Sequence, residues 1–287
     1  MPNYHKKLIV KPESKIRLKH FDPGYCGKNE SHKSALSEIQ ENLEKMDRLQ
    51  YRMYAEDKHS LLIVLQGLDA AGKDGVVRHV LTGMNPEGCV CSNFKQPTKE
   101  ELAHDFLWRV HPHVPARGSV AIFNRSHYED VLVARVHQLV PEKVWSKRYD
   151  QINDFERLIA TENNTAILKF FLHISKEEQL DRFKKRLDDP ARQWKISDSD
   201  YKEREYWGDY TNAFEDVFNK TSTEHAPWFI VPSNHKWFRD LVISQIIVRQ
   251  MEDLDMQLPE PSVNLAEIRR EYHQAARREK TDRRKKR

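Results

Sequence analysis

Residues 67–73 read Gly67-Leu68-Asp69-Ala70-Ala71-Gly72-Lys73, a Gly-x4-Gly-Lys spacing set directly after the apolar run Leu61-Leu62-Ile63-Val64-Leu65. Alone that spacing is a modest signal, and its context gives it force. The run before it fits a buried parallel strand, and Gly75 to Leu81 can continue as a helix. Strand, glycine loop and helix together aim backbone N–H groups and a helix N-terminus at phosphate oxygens. The usual loop has Ser or Thr after the lysine to hold magnesium; here the position is Asp74, and Asp69 adds a carboxylate inside the loop. These residues point to phosphoryl transfer with a metal held by carboxylates rather than by a hydroxyl.

A second constellation, Phe123-Asn124-Arg125-Ser126-His127-Tyr128-Glu129-Asp130, begins where an apolar strand at 119–123 ends. In open α/β sheets ligands bind beyond the carboxyl ends of strands. If strand 119–123 lies beside strand 61–66, then Arg125, Glu129 and Asp130 face the phosphate loop. An arginine there can fork onto phosphoryl oxygens. Adjacent carboxylates can coordinate magnesium or accept a proton from an attacking phosphate. The plainer alternative is a helix N-terminus whose acids complement its dipole. A third segment, Arg182 to Lys195, carries six basic residues against two acids in 14 positions. An exposed helix face explains such a run, but its place after the fourth strand is where mononucleotide kinases carry a phosphate-covering lid.

The elements that must position these groups alternate. Strands are predicted at 61–66, 89–94, 119–123, 166–173 and 227–231. Helices are predicted at 74–83, 98–110, 127–139, 141–162, 175–187, 198–220 and 236–254. That order argues for a parallel sheet with helices on both faces. Leu36, Ile39, Leu43, Met46 and Met53 recur at helical spacing after Ser31, so 31–57 reads as one long amphipathic helix capped by that serine. Trp207, Tyr210, Phe214 and Val217 share a helical face and read as core rather than as a base-stacking platform. The organisation is an N-terminal extension and helix (1–58), a phosphotransferase core (59–258) with a lid near 182–200, and a basic tail (259–287).

The net charge of +4 is a property of the tail. Arg269 to Arg287 holds ten Lys/Arg against three Asp/Glu, so the other 268 residues sum to −3. A tail of this kind could touch polyanions, but it reads first as a solvated, poorly ordered end, and no nucleic acid is required. Cys26, Cys89 and Cys91 give no disulfide framework and no zinc pattern. No apolar run is long enough to span a bilayer and the start lacks a signal-peptide core, so a soluble cytoplasmic protein with no membrane partner is expected.

Together the three constellations resemble the polyphosphate kinase 2 family. Gly67-x-Asp69-Ala70-Ala71-Gly72-Lys73-Asp74-Gly75 is similar to its phosphate loop and Phe123 to Asp130 to its second motif. Arg186 to Pro190, Trp194 to Ser197, His225 to Trp228 and Pro232 to Trp237 also fit. The resemblance runs from about Leu18 to about Leu254. It implies an α/β P-loop kinase fold of thymidylate-kinase-like type, three-layer αβα with a parallel five-stranded sheet and a helical lid. It further implies transfer of a terminal phosphoryl group from inorganic polyphosphate to an adenine nucleotide with Mg2+, or Mn2+ in its place, in a homo-oligomer (dimer or tetramer).

By position the resemblance gives Asp69 to the metal, Lys73 to the transferring phosphate and Arg125 to the acceptor phosphate. The donor chain falls to Arg182, Arg186, Arg192 and Lys195, together with the loop residues Gly67, Ala70, Ala71, Gly72, Asp74 and Gly75. Many family members carry aspartate where this chain has Asn124, so Glu129 or Asp130 is implied to replace it as metal ligand. Asn124, Arg125, Glu129 and Asp130 are implied to line the nucleotide site. The form Asn-Arg-Ser-His-Tyr-Glu-Asp looks most like the subgroup accepting both AMP and ADP. Rival readings are an ATP-dependent nucleoside monophosphate kinase on the same fold, a non-catalytic polyanion- or RNA-binding protein, and a regulatory nucleotide switch.

Overall fold

Ser60–Gln66 is buried at every position because it is the middle of a sheet covered on both faces. This strand, β2 below, sends Leu61, Ile63 and Leu65 into one hydrophobic cluster and Leu62 and Val64 into another. Each of these aliphatic side chains, wholly withdrawn from water, contributes about 1.5–3 kcal/mol. The computed structural model describes residues 3–28 and 30–285, with side chains through residue 280.

The chain opens with α1 (Tyr4–Leu8), β1 (Ile9–Val10) and α2 (His32–Glu56), then β2 and α3 (Lys73–His79). Two strands follow, β3 (Cys89–Asn93) and β4 (Val120–Asn124), then α4 (Glu129–Val136), α5 (Glu142–Trp145) and α6 (Arg148–Glu162). Next come β5 (Thr165–His173), α7 (Lys176–Leu187), α8 (Asp198–Glu203) and α9 (Trp207–Thr221). The last elements are β6 (Trp228–Pro232), α10 (Lys236–Asp253) and α11 (Leu265–Lys285). Residues Met1–Met256 and Gln257–Arg287 form two separate compact units.

The sheet order is β1-β6-β5-β2-β4-β3. Strands β2 to β6 are all parallel, as the alternation predicts, and β1 adds a short antiparallel edge on β6. Two residues are too few to show a period, so nothing in the sequence marks β1. Helices α2, α3 and α10 bury their apolar residues in the first cluster, and α4, α6 and α9 in the second, giving three layers. β2 pairs with β5 on one side and β4 on the other, and Leu65 lies opposite Asn124. The loops that follow β2 and β4 therefore leave the sheet on adjacent rungs, at a switch point.

Several predicted helices are shorter or broken. Residues 98–110 hold only a 3-10 turn, Glu101–Ala103. Thr98, Glu101 and Asp105 side chains bond to nearby backbone N–H groups there, which competes with helical pairing, and Leu102 stays 71 % exposed. The span 141–162 divides into α5 and α6, and 198–220 into α8, a 3-10 turn (Arg204–Tyr206) and α9. Ser31 caps α2 as predicted, its hydroxyl accepting from Ser34 N–H, but Ala35 is buried at the first turn and Leu36 is exposed. No helix among the described residues is long and apolar enough to cross a membrane.

Behind β4 lies a wholly buried polar knot. Lys169 Nζ on β5 donates to Glu156 Oε2 of α6 at 2.6 Å, to Thr221 O at 2.7 Å and to Tyr128 Oη at 2.9 Å. Tyr128 and His127 both turn to Glu156 Oε1, at 2.9 and 3.2 Å, which fastens the loop after β4 to the core. Removing one partner of such a pair leaves an uncompensated buried charge. Lys169→Met is expected to cost about 3–5 kcal/mol in chemical denaturation; a loss below about 1 kcal/mol would contradict the buried ion pair.

Candidate active site

The phosphate loop takes its shape from what lies beneath it. Gly72 has φ +110°, and a Cβ there would sit 2.0 Å from Arg239 Nη1. Only glycine accommodates both the dihedral and the guanidinium. Arg239, on α10 and 1 % exposed, is held by Asp240, with Nε at 2.8 Å from Oδ1. Gly67, at φ +151°, leaves the strand where a Cβ would press to 2.9 Å on Leu172 O. Ala70 adopts φ +62° and Ala71 packs into the core beneath the loop.

Opposite the loop, Arg125 also has a left-handed backbone, φ +63°, and donates its N–H to Leu65 O at 3.1 Å. That turn sends its guanidinium across to Asp69 Oδ1 at 2.7 Å, while Glu129 Oε2 lies at 3.3 Å. Asp69, Arg125 and Glu129 thus share one partly open space. Beside them a cleft of about 470 Å3, open mouth included, is walled by Leu132, Val133, Trp207, Tyr210 and Phe214. Glu203 reaches the same cleft, held by Tyr210 Oη at 2.9 Å and His137 Nε2 at 3.1 Å. A cleft with charged groups at one end and aromatic walls at the other suits a ligand that is anionic at one end and flat and apolar at the other.

Lys73 is buried and folds back on its own loop, donating to Gly67 O at 2.5 Å. Burial first, then the nearby Arg125 cation, brings its pKa down to about 8. Asn124 donates its amide to Asp74 Oδ1 at 3.0 Å, which holds that carboxyl below the usual range, and Lys195 reaches Asp74 at 3.5 Å. The segment after α7 therefore touches the phosphate loop through Lys195. Arg186 lies 4.0 Å from Asp200, and the exposed Arg192 pairs with Asp189 at 2.8 Å.

Comparison with known proteins fits this geometry. The family profile described as Polyphosphate kinase 2 (PPK2) matches residues 27–259. The chain belongs to the polyphosphate kinase 2 family. It is 49 % identical over 260 residues to an AMP/ADP-polyphosphate phosphotransferase of Meiothermus ruber, covering 89 % of this chain and 96 % of that one. It is 44 % identical over 251 residues to an ADP-polyphosphate phosphotransferase of Rhodopseudomonas palustris, covering 83 % and 85 %. The crystal structure of Polyphosphate Kinase 2 from Arthrobacter aurescens TC1 superposes with a TM-score of 0.89 at 39 % identity, over 92 % of this chain and 95 % of that one.

In this polyphosphate kinase 2 family member, two residues sit elsewhere than their sequence positions suggest. Asp130 does not face the loop: Arg109 Nη2 donates to it at 3.2 Å, and Arg148 Nη1 lies 3.9 Å away. Neighbours on a helix project about 100° apart, and here Glu129 turns to Arg125 while Asp130 turns to Arg109. Asp130 is therefore corrected from a metal or nucleotide ligand to an anchor for the segment before β4.

Arg182 is only 6 % exposed; its Nε donates to Glu178 Oε1 at 2.7 Å and its other donors to backbone carbonyls, Ala70 and Ala71 of the loop at 2.8 and 2.9 Å and Ser233 and Asn234 at 2.5 and 3.1 Å. It braces the phosphate loop and offers no free guanidinium to a donor chain. Gln179 adds a bond to Asp69 O at 2.8 Å, and Gln66 joins the two loops through Ser126 at 3.1 Å. No local pattern marks these residues or Arg239, because each acts across the fold. Trp207, Tyr210 and Phe214 were visible as a helical face, and two of them are indeed buried while also walling the cleft.

Two outcomes follow for the loop. An anion favours charged Lys73, so the affinity for sulfate, which does not titrate here, should fall as pH rises through about 8 and stay flat in Lys73→Arg. Thermal-shift titration between pH 7 and 10 reads this, and a flat wild-type profile would refute the buried lysine's role. Arg182→Met strands several buried carbonyls at about 1–3 kcal/mol each and should lower Tm by several degrees. An unchanged Tm would return Arg182 to the ligand-binding surface.

Proposed function

We propose that this chain transfers the terminal phosphoryl group of inorganic polyphosphate directly to AMP and ADP, forming ADP and ATP. The observation that carries the reading is the Arg125 guanidinium held between Asp69 of the phosphate loop and Glu129 of α4. One cation and two acids at the meeting of two loops suit a space where two phosphate groups confront each other. The names of the Meiothermus and Rhodopseudomonas relatives support the same substrates.

In this reading the loop amides and Lys73 hold the transferring phosphate, and Arg125 leaves its carboxylates to bind the acceptor's phosphate. The aromatic cleft takes the nucleoside. The segment of about 182–200 is the lid: Arg186, Arg192 and Lys195 offset donor charge, and closure keeps out water. Asp69 and Glu129 offer hard oxygen donors, which suit a divalent cation that also draws ligands from phosphate. Mg2+, or Mn2+ in its place, would be held by these two residues and would neutralise charge between donor and acceptor. Alignment and charge carry the barrier lowering, so no covalent phospho-enzyme forms. The protein works in the cytoplasm as a homo-oligomer. Tyr51 and Tyr54 of α2, 67 % and 63 % exposed, are surface that a second copy would cover.

Purified protein with Mg2+, AMP or ADP, and either polyphosphate or ATP as donor, tests the reading by chromatography of the products. Polyphosphate should support formation of ADP and ATP, and Asp69→Asn should lower turnover by about a hundredfold or more with Tm retained. Turnover with ATP but not polyphosphate would transfer the chain to the nucleoside monophosphate kinases.

A further inference from the structure

Beyond Met256 the structure forms α11 where the sequence suggests a poorly ordered end, and the proposed reaction draws on nothing there. The phosphate loop itself holds a less obvious link. Its carbonyls from Gly67 to Gly72 are all bonded to the protein, and that fixes its path. Lys73 Nζ donates to Gly67 O at 2.5 Å, and Ala71 N–H to Leu68 O at 3.0 Å. Arg182 donates to Ala70 O and Ala71 O, and Val76 N–H to Gly72 O at 3.0 Å. The carbonyl of Asp69 is held by Gln179 Nε2 at 2.8 Å.

Gln179, on α7 and 3 % exposed, uses both ends of its amide. While Nε2 donates to Asp69 O, Oε1 accepts from Arg204 Nη1 at 2.7 Å. The same Nη1 donates to Lys176 O at 2.9 Å. Arg204 opens the 3-10 turn between α8 and α9, where the segment proposed as the lid returns to the core. Its neighbour Glu203 is fastened there as well, by Tyr210 and His137. One glutamine thus joins the far root of the lid to the loop residue whose carboxylate meets Arg125.

We propose that Gln179 is a positioning residue, which passes the seat of Arg204 on to Asp69 and so sets how well that carboxylate meets a divalent cation. The inference rests on the metal role given to Asp69 above. Gln179 acts through the Asp69 backbone and need not touch a substrate. Metal–oxygen distances hold to within about 0.2 Å, so a drifting loop residue loses its ligand geometry. Groups that orient a metal ligand change affinity by about 10–100-fold when they are removed. Because Arg204 reaches Asp69 through Gln179, losing Arg204 should add nothing once Gln179 is gone.

The test uses the full chain saturated with ADP, Mn2+ as the probe, and the variants Gln179→Met, Arg204→Met and their double. Electron paramagnetic resonance reads the Kd for Mn2+, and thermal denaturation reads Tm. Gln179→Met should raise that Kd about tenfold, and the Mg2+ concentration for half-maximal turnover with it. The KM for polyphosphate should stay unchanged. Arg204→Met should shift both metal readings in the same direction, and the double variant should match Gln179→Met. Losses that multiply in the double would overturn the relay. A lowered Tm with an unchanged Kd would overturn it too, leaving Gln179 a brace for the fold. Gln179→Glu serves where the methionine variant fails to fold: it still accepts from Arg204 but cannot donate to Asp69 O. Its added negative charge alone would tighten Mn2+, so a weaker Kd supports positioning and a tighter one overturns it. Wild-type protein that binds no Mn2+ in the presence of ADP would overturn the metal role of Asp69 and the proposal with it. Equal Kd values in the wild type and all variants would overturn the relay alone.

Discussion

The parallel pairing of β2 with β4 is the constraint from which the site follows. With Leu65 opposite Asn124, the next residues of both strands must leave the sheet side by side. The short distance between Asp69 and Arg125 is then a consequence of register, helped by the left-handed turn at Arg125. A non-glycine residue held there costs about 1–2 kcal/mol, and the backbone bond to Leu65 O together with the two carboxylates offsets it. Further groups lining the site come from α4, α7, α8 and α9.

Three cations lie around one glycine loop, and burial gives them different work. Arg182 and Arg239 are struts under the loop, Arg182 donating to Ala70 O and Ala71 O and Arg239 lying against Gly72 and Gly75. Lys73 is buried as well, but an amine yields its proton more readily, and its pKa drops to about 8. Its charge can respond to what enters the loop. The division explains why a lysine and not an arginine stands at the end of the glycine motif.

What could be read from the sequence is what is encoded locally. The run 61–65, the Gly67 to Lys73 spacing and the Asn124 to Asp130 string each carry their meaning within a few residues, and the alternation of elements carries the parallel sheet. What could not be read depends on partners far along the chain. Asp130 turns away because Arg109 and Arg148 wait on its side of α4. Arg182 looks like one of six equivalent lid cations until Ser233 and Asn234 are brought within its reach. The predicted helix at 98–110 fails because Thr98, Glu101 and Asp105 turn their side chains back onto local backbone N–H groups.

Asn124 shows how a single substitution redistributes charge in such a site. An amide can donate to Asp74, as it does at 3.0 Å, whereas a carboxylate at 124 would set two anions against each other. With Asp74 occupied by Asn124 and Lys195, the carboxylates beside Arg125 are Asp69 and Glu129, and both are engaged by its guanidinium. In the proposed reaction Arg125 can bind an acceptor phosphate only by loosening that engagement, which leaves two carboxylates with uncompensated charge. A cation arriving with the nucleotide would offset that charge. In that reaction acceptor binding and metal affinity would be coupled through Arg125.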